Sequence, residues 1–144
     1  MLVSKILETK PKGGVITVTP TSVVSEAAKL LSEKGIGTVV VSSDGTSLDG
    51  ILSERDIVRA LGKSGPSCLG QPVSALMTAK VKTCDPGEQA VGVLATMTDG
   101  RFRHMPVVDG GKMIGLISIG DVVKARLAEL AMEKDALEGM IMGH

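Results

Sequence analysis

One internal repeat constrains this chain more than any other feature. The segment Gly50-Ile-Leu-Ser53-Glu-Arg-Asp56 returns 65 positions later as Gly115-Leu-Ile-Ser118-Ile-Gly-Asp121, in the same Gly-x-x-Ser-x-x-Asp frame. In both copies an apolar run typical of a strand leads into a helical pattern. Self-similarity at a fixed spacing indicates a duplicated structural unit. A helix start that carries a hydroxyl and a carboxylate can hold a sugar phosphate, so we expect the function to lie there.

The elements around each copy are predicted in the order strand, helix, strand, strand, helix. Pro20 and Pro86 follow the first strand of each repeat, and turns at Ser43-Asp-Gly45 and Asp109-Gly-Gly111 separate the later strands. The first repeat is predicted to contain strands 15–18, 38–41 and 48–53 and helices 22–34 and 54–61. The second is predicted to contain strands 81–84 and 104–108, a strand at Gly115, and helices 87–98 and 120–138.

These elements predict an α+β fold of two β-α-β-β-α repeats. The expected division of the 144 residues is repeat 1 with a lead-in at 1–62, a linker at 63–76 with a helical turn from Val73, and repeat 2 at 77–144. A unit of about 60 residues has a marginal core when isolated. We therefore expect the repeats to pack sheet to sheet about a pseudo-twofold axis, with a cleft between them.

The last helix is expected to run well past its counterpart in the first repeat. Its apolar stripe continues through Val123, Leu127, Leu130 and Leu137, whereas the first repeat stops at Gly62. Such surplus turns need a partner surface, and a homodimer formed through paired helices is the favoured interpretation. The alternative is a helix folded back on its own domain.

Composition excludes several classes of function. The chain has 16 Lys+Arg and 16 Asp+Glu, so no net charge draws it to nucleic acid, and one Phe with no Trp or Tyr leaves little for stacking on bases. No apolar stretch approaches the roughly 20 residues of a membrane span, and no signal peptide is evident, which predicts a cytoplasmic protein. Cys68 and Cys84 have no metal-type spacing and are expected to be free thiols.

The repeated Ser and Asp allow two interpretations. The structural one is a capping box, in which Ser53 and Asp56, and likewise Ser118 and Asp121, bond only to backbone N–H groups. In the functional one the helix start and the Ser hydroxyl bind phosphate while the Asp accepts hydrogen bonds from ribose hydroxyls. Two occurrences in matched context favour the ligand.

The two candidate sites are predicted to differ. Arg55 adds a cation in the first copy where the second has Gly120. One strand earlier the second copy concentrates positive charge in Arg101-Phe-Arg103-His104, and the alignment places Gly37 opposite His104, 67 positions apart. This cluster predicts an anion site, although a solvated rim is the alternative for each residue alone.

These residues resemble a tandem pair of cystathionine-beta-synthase-type (CBS) domains, a Bateman module. The resemblance rests on the Ile36-Gly37 and Arg103-His104-Met105-Pro106 strand starts and on the repeated Gly-x-x-Ser-x-x-Asp ends, and it spans about residues 12–127. It implies a regulatory protein in signal transduction that binds AMP, ADP, ATP, NAD(H) or S-adenosylmethionine, with AMP favoured. With no further domain in the sequence, the regulated partner is expected to be a separate protein.

The resemblance also implies which residues bind the nucleotide. Asp56 and Asp121 would hold ribose, while Ser53, Ser118, Arg55, Arg103 and His104 would hold phosphate. The remaining implied residues would line adenine and ribose: Lys12, Gly14, Val15, Ile36, Gly37, Thr78, Lys80, Val81, Met105 and Pro106.

Three other functions compete with this one. A structural dimerisation module with vestigial nucleotide sites would use the C-terminal helix as its functional surface. An enzyme would need Cys84 as nucleophile and His104 as base, without the supporting context of a nucleophile elbow, so we predict no catalytic activity. Soft-metal binding by Met140, Met142 and His144 is the weakest of the three, and no metal site is expected.

Overall fold

Residues 1–10 and 14–142 are described by the computed structural model. The helices among them are α1 (Val3–Thr9), α2 (Val24–Lys34), α3 (Glu54–Ser64), a 3-10 helix (Gly65–Gly70), α4 (Val73–Leu76), α5 (Ala90–Gly100) and α6 (Ile119–Met142). The strands are β1 (Thr17–Val18), β2 (Thr38–Val41), β3 (Gly50–Ser53), β4 (His104–Asp109) and β5 (Lys112–Ser118). The predicted α+β class, the helical turn at Val73 and the extended C-terminal helix are confirmed.

The strands form two small sheets. In the first, β1 pairs parallel to β2 and β2 pairs antiparallel to β3, with Thr38 opposite Ser53 and Val41 opposite Gly50. This register delivers Ser53 to the end of β3, directly before α3. The second sheet consists of β4 and β5.

The predicted strand at 81–84 is wrong. Only Cys84 pairs there, in a single parallel bridge to Val107. Residues 82 and 83 are exposed, so the segment has too few apolar side chains to bury as a strand. Helix α5 also begins three residues later than predicted, because Asp85 Oδ1 accepts a hydrogen bond from the Gly87 N–H at 2.8 Å and holds a turn.

Two compact units emerge from the packing. The repeat-1 unit contains the described residues of Gly13–Lys82 and Val108–Ile114, and the repeat-2 unit contains those of Met1–Lys12, Thr83–Val107 and Gly115–His144. This division follows packing. The predicted boundaries 1–62, 63–76 and 77–144 follow the repeated sequence and stay a prediction.

Helix α1 precedes repeat 1 in sequence but packs in the repeat-2 unit. Val3 and Ile6 are buried in the same core as Met97 and Ile117. The Val3 N–H donates to the Glu88 carbonyl at 2.9 Å. The sequence interpretation did not anticipate this helix.

Helix α4 is the counterpart of α1. It precedes repeat 2 but packs in the repeat-1 unit, where Val73 is buried beside Val24 and Leu52. The Val73 N–H donates to the Ser22 carbonyl at 2.7 Å, which matches the bond made by Val3. We call α1 and α4 the lead-in helices. Each lead-in helix therefore packs in the unit of the repeat that it does not precede in the sequence.

Helices α2 and α5 end in the same backbone conformation with different residues. Gly35 closes α2 at φ 62° and ψ 37°, and Arg101 closes α5 at φ 57° and ψ 39°. Both values lie in the left-handed region, which glycine adopts without a steric penalty. Arg101 is the one non-glycine residue with positive φ among the described residues.

Replacing Arg101 by glycine is therefore expected to stabilise the protein. We expect the free energy of unfolding to rise by about 1 kcal/mol, because a side chain in the left-handed region costs about 1–2 kcal/mol and glycine gives part of that gain back as chain entropy. Thermal denaturation measures the change. Gly35→Ala imposes the same strain on α2 and should lower stability by a similar amount; unchanged melting of both variants would contradict this account.

Helix α6 leaves the repeat-2 core after its first turns. Val122 and Ala125 are buried, whereas residues 131–138 are all exposed. The predicted alternative, a helix folded back on its own domain, is therefore wrong for this segment. None of the helices in the described part of the chain combines the length and apolarity that a membrane crossing requires.

Candidate functional site

The first Ser/Asp pair forms a capping box at the start of α3. The Ser53 N–H and hydroxyl both donate to Asp56 Oδ2, at 2.9 and 3.0 Å, and the Asp56 N–H donates to Ser53 Oγ at 3.2 Å. Arg59 Nη1 lies 3.8 Å from Asp56 Oδ1 on the same helix. The Asp56 side chain is only 11% exposed. The cap thus uses Oδ2 of Asp56. Oδ1 of Asp56 has only the distant guanidinium of Arg59 beside it.

The second pair repeats the cap but adds a lysine. The Ser118 N–H donates to Asp121 Oδ2 at 2.9 Å, and the Asp121 N–H donates to Ser118 Oγ at 3.1 Å. Lys10 Nζ donates to the same Oδ2 at 2.8 Å and to the Leu116 carbonyl at 2.7 Å. The carboxylate that repeats Asp56 is therefore already paired with an ammonium group from the residue that follows α1.

The pKa of Asp121 reflects this pairing. Burial raises the pKa of the Asp121 carboxyl, but the hydrogen bond and charge of Lys10, together with the hydrogen bonds from Ser118, outweigh it and leave the pKa below its ordinary value. Asp121 is thus ionised at neutral pH and its negative charge is balanced by Lys10.

Lys80 stands in repeat 1 where Lys10 stands in repeat 2. The lead-in helices begin with Val3-Ser4 and Val73-Ser74, and the same spacing of 70 positions relates Lys10 to Lys80. Lys80 is exposed, and it makes no hydrogen bond or ion pair within residues 1–10 and 14–142. The Asp56 anchor therefore lacks the lysine partner that the Asp121 anchor has.

The backbone around Arg103 corrects one detail of the sequence alignment. The Ile119 N–H donates to the Arg103 carbonyl at 2.8 Å, and the Glu54 N–H donates to the Gly37 carbonyl at 2.9 Å. The structural counterpart of Gly37 is thus Arg103, and the predicted pairing of Gly37 with His104 is wrong by one residue. His104 begins β4 as Thr38 begins β2.

This correction changes how the two sites differ. Arg103 lies one hydrogen bond from the start of α6, which carries Asp121, and its side chain is exposed. In repeat 1 the equivalent residue, Gly37, offers no side chain at all. Arg55 is exposed in the first turn of α3, two residues after Ser53. Each unit thus brings one predicted arginine close to its Ser/Asp pair.

The described lead-in residues of the predicted site all lie in the repeat-1 unit. The Thr78 N–H donates to the Ile51 carbonyl at 2.9 Å and the Ile51 N–H donates back at 3.0 Å, which places Thr78 beside the strand that ends at Ser53. Lys80 and Val81 follow in irregular backbone, and Gly14 and Val15 precede β1 in the same way. Lys12 lies outside the described residues.

Ile36 and Gly37 line a groove in the repeat-1 unit. Its volume is about 510 Å³, and its remaining lining residues come from α2, from Gly35 and from the first turns of α3: Ala28, Leu31, Ser32, Glu54, Ile57 and Val58. The size is ordinary for a small-molecule site. The Glu54 carboxylate, however, lies within 3.6–3.9 Å of the point where a Gly37 Cβ would stand, so this groove is a poor place for phosphate.

Met105 and Pro106 have buried side chains, which restricts what they can offer a ligand. Met105 is 1% exposed and packs in the repeat-2 core. The Pro106 carbonyl accepts a hydrogen bond from the Cys84 N–H at 3.0 Å. Among the predicted residues these two contribute to the site through the position of β4.

The enzyme alternative would need Cys84 as its nucleophile. Cys84 is a free, buried cysteine. Burial raises the pKa of its thiol to about 12, and the negative charges of Glu88 and Asp85 add to the effect. A thiol nucleophile needs the thiolate form, so Cys84 is poorly suited to nucleophilic catalysis.

Metal ligands do not gather in the described residues. No group of three or more His, Cys, Asp or Glu is placed to hold an ion there. Met140 and Met142 lie in α6, and His144 lies outside the described residues.

Comparison with known proteins places the duplicated frame in a family. The family model of the CBS domain matches residues 3–63 and again residues 73–128. The chain belongs to the CBS domain family. The resemblance to a tandem CBS pair is thereby confirmed. Each match contains one Ser/Asp pair. The two matches begin at Val3 and Val73, the first residues of the lead-in helices.

Two similar proteins illustrate this membership. CBS domain-containing protein CBSX3, mitochondrial, from Arabidopsis thaliana is 34% identical over 148 residues, which cover 98% of this chain and 72% of the relative. The crystal structure of the CBS-domain containing protein ATU1752 from Agrobacterium tumefaciens is 42% identical with a TM-score of 0.81, and the match covers 88% of this chain and 99% of that one.

Two further solved CBS structures contain adenosyl ligands. CBSX2 was solved in complex with AMP; it is 29% identical, with a TM-score of 0.74 and coverage of 88% of this chain and 96% of that one. The CBS domain pair of protein MJ0100 was solved with 5-methylthioadenosine and S-adenosyl-L-methionine; it is 26% identical, with a TM-score of 0.76 and coverage of 90% and 98%.

Lys10 is the site residue that the sequence interpretation missed. A signal for it existed, because Val3-Ser4 and Val73-Ser74 begin a second repeat whose spacing of 70 also relates Lys10 to Lys80. The main repeat has a spacing of 65, so an alignment built on it does not bring these lysines together.

Proposed function

We propose that this CBS pair is a regulatory module that binds an adenine nucleotide and thereby modulates a separate partner protein. AMP is the favoured ligand, and ADP, ATP, NAD(H) and S-adenosylmethionine share the adenosyl group that the site would recognise. Energy or redox sensing is the corresponding role. The homodimer and the cytoplasmic location predicted from the sequence belong to this proposal.

One observation supports nucleotide binding above the others. Asp56 is largely buried, its Oδ2 is held by Ser53, and its Oδ1 has no closer cation than Arg59 at 3.8 Å within the described chain. A fixed carboxylate with one oxygen available can accept hydrogen bonds from ribose hydroxyls. The AMP bound by CBSX2 carries such a ribose. Arg55, in the same helical turn, would face the phosphate.

The Asp121 site would bind more weakly than the Asp56 site. Lys10 Nζ is bonded to Asp121 Oδ2 at 2.8 Å, so its charge balances the carboxylate and weakens Oδ1 as an acceptor for ribose hydroxyls. The Lys10 and Asp121 side chains are 33% and 28% exposed, so water screens part of this effect. We therefore propose one preferred site at Asp56 and one charge-compensated site at Asp121.

The proposal is tested by ligand identification followed by titration. Mass spectrometry of small molecules released from the purified protein should detect an adenosyl compound. Calorimetric titration of the stripped protein with AMP, ADP, ATP, NADH and S-adenosylmethionine should then give saturable binding for at least one of them. Absence of binding by all five would remove the proposal.

Replacing Lys10 by methionine is expected to strengthen the second site. In an Asp56→Ala background, which isolates Asp121, Lys10→Met should tighten AMP binding about two- to fivefold, because it removes the charge that compensates Asp121 and the partly exposed ion pair is worth at most about 1 kcal/mol. Calorimetry measures the change. Weaker binding by Lys10→Met would instead show that Lys10 contacts the nucleotide, and the idea of charge compensation at Asp121 would fail.

The pH dependence of stability provides the control for Lys10→Met. A lowered carboxyl pKa contributes stability above the unfolded value of about 3.9, and this contribution is lost as the pH falls through the lower folded value. The variant should therefore be less stable than the wild type at neutral pH, and the difference should vanish in acid. Lys5→Met, on the exposed side of α1, should show neither effect.

A structural dimerisation module is the second candidate function. It is favoured by the exposed apolar residues of α6, which no part of the described chain covers. In that case the Ser/Asp pairs act only as helix caps. Failure of every adenosyl ligand to bind, together with loss of self-association when residues after Arg126 are deleted, would select this function.

A further inference from the structure

Helix α6 carries a regular apolar seam on the side away from its own core. The seam residues recur at intervals of four and three: Val123, Leu127, Leu130, Lys134, Leu137 and Ile141. Five of these six are apolar, and Leu127, Leu137 and Ile141 are 61%, 59% and 83% exposed. Alternating intervals of four and three are typical of helices that pair along their length.

The N-terminal part of the helix that carries the seam is held in place by packing. Val122 and Ala125 anchor the start of α6 in the repeat-2 core, and neither belongs to the seam. The seam from Val123 to Ile141 extends about 27 Å at 1.5 Å per residue. A continuous apolar row of this length differs from the isolated exposed apolar side chains that are normal on any protein surface.

We propose that this seam pairs with the same seam of a second copy, with the two α6 helices antiparallel and centred near Ala131. This interface is independent of nucleotide binding. The charges that flank the seam favour a second copy of the chain as the partner, and they favour the antiparallel orientation of the two helices.

A parallel pair is disfavoured by like charges. It would place residues of the same number opposite each other, so Lys134 would face Lys134 of the second copy inside the seam. It would also bring Glu133 of each helix beside Glu138 of the other. Like charges at these positions oppose association.

An antiparallel pair relieves both conflicts. Lys134 then lies across from Leu130 of the second copy, where its aliphatic stem can cover the leucine while the ammonium stays in water. Lys124 approaches Glu138 of the second copy, which gives an attractive pair at each end. Ala131 meets its own copy at the centre, where a small side chain lets the helices approach closely.

One pair of like charges remains in the antiparallel arrangement, and nearby positive charges compensate it. Glu133 would lie near Glu133 of the second copy close to the twofold axis. Arg126 Nη1 is already 4.0 Å from Glu133 Oε1 on the same helix, so each carboxylate brings its own counter-charge. The antiparallel arrangement therefore satisfies more of the flanking charges than the parallel one.

Cysteine crosslinking tests the orientation directly. The native Cys68 and Cys84 are both buried, so a single introduced cysteine is the accessible one. Under mild oxidation Ala131→Cys should form a covalent dimer, whereas Leu137→Cys should not, because antiparallel copies of residue 137 lie about 15 Å apart along the axis. Ala128→Cys, off the seam, is the control and should stay monomeric on a denaturing gel. Crosslinking of Leu137→Cys without Ala131→Cys would overturn the proposal.

Sedimentation velocity tests the interface itself. The full chain should sediment as a dimer, and Leu127→Glu should weaken self-association by about 100-fold because it buries an unpaired charge in the seam. Met132→Glu adds the same charge to an exposed position off the seam and should leave the dimer unchanged. A monomeric wild-type chain, or a dimer that tolerates Leu127→Glu, would overturn the proposal.

Discussion

Asp56→Ala is expected to weaken AMP binding about 100-fold, the largest effect of any single substitution at the proposed site. The carboxylate would accept hydrogen bonds from ribose, and each hydrogen bond to a charged group contributes about 1.5–3 kcal/mol. The alanine variant removes this acceptor for the ribose hydroxyls at a position where the Asp56 side chain is only 11% exposed. Isothermal titration calorimetry of both proteins with AMP measures the loss.

The controls must separate binding from folding, because Asp56 also caps α3. Loss of the cap should cost about 1 kcal/mol of stability, so thermal denaturation has to show that Asp56→Ala is folded at the titration temperature. Asp85→Ala is a matched control, since its carboxylate likewise accepts a backbone N–H, at 2.8 Å, and should leave AMP affinity unchanged. A folded Asp56→Ala protein that binds AMP as the wild type does would refute the ribose anchor.

Gly50→Ala is expected to lower the free energy of unfolding by about 2 kcal/mol, the cost of forcing an extra methyl group into a packed position. A Cβ at Gly50 would stand 2.7 Å from the Thr78 carbonyl oxygen and 2.9 Å from Met77 Sδ. The carbonyl is backbone that pairs with Ile51 and cannot move without breaking those hydrogen bonds. Urea denaturation of the variant and the wild type measures the loss.

Two other glycines calibrate that result. At Gly115 the obstacle is the Leu7 side chain, with Cδ2 at 2.6 Å, which can rotate away, so Gly115→Ala should cost less than Gly50→Ala. Gly62 has open space around it in α3, and Gly62→Ala should raise stability by about 0.5–1 kcal/mol through helix propensity. A Gly50→Ala protein as stable as the wild type would show that the lead-in backbone is not held against β3.

Much of the fold was accessible from local sequence patterns. Strand β2 and the start of α3 occur where the apolar run at 38–41 and the capping box at Ser53 predicted them. Helix α1 could not be found in this way, because seven residues are too short for a clear period and the residues that bury Val3 lie more than 80 positions away. The predicted strand at 81–84 did not form. Apolar residues at its two ends suggested a strand, but only Cys84 pairs with a neighbouring strand residue.

The candidate site was accessible to the same degree and for the same reason. Asp56 and Asp121 follow from the repeated frame, which is a local pattern. Lys10 could not be assigned because its contact with Asp121 spans 111 positions. The pairing of Gly37 with Arg103 needed backbone hydrogen bonds, since one residue of slippage in a loop is invisible in an alignment of two diverged repeats.

The crossed placement of the lead-in helices has a consequence for a chain that contained just one repeat. Such a chain would hold a lead-in helix whose buried residues, like Val3 or Val73 here, have no matching core in their own repeat. It could bury that helix as it is buried here only by donating it to a neighbouring molecule and receiving the neighbour's in return. Tandem duplication joins donor and recipient in one polypeptide, so an exchange that would depend on protein concentration becomes intramolecular.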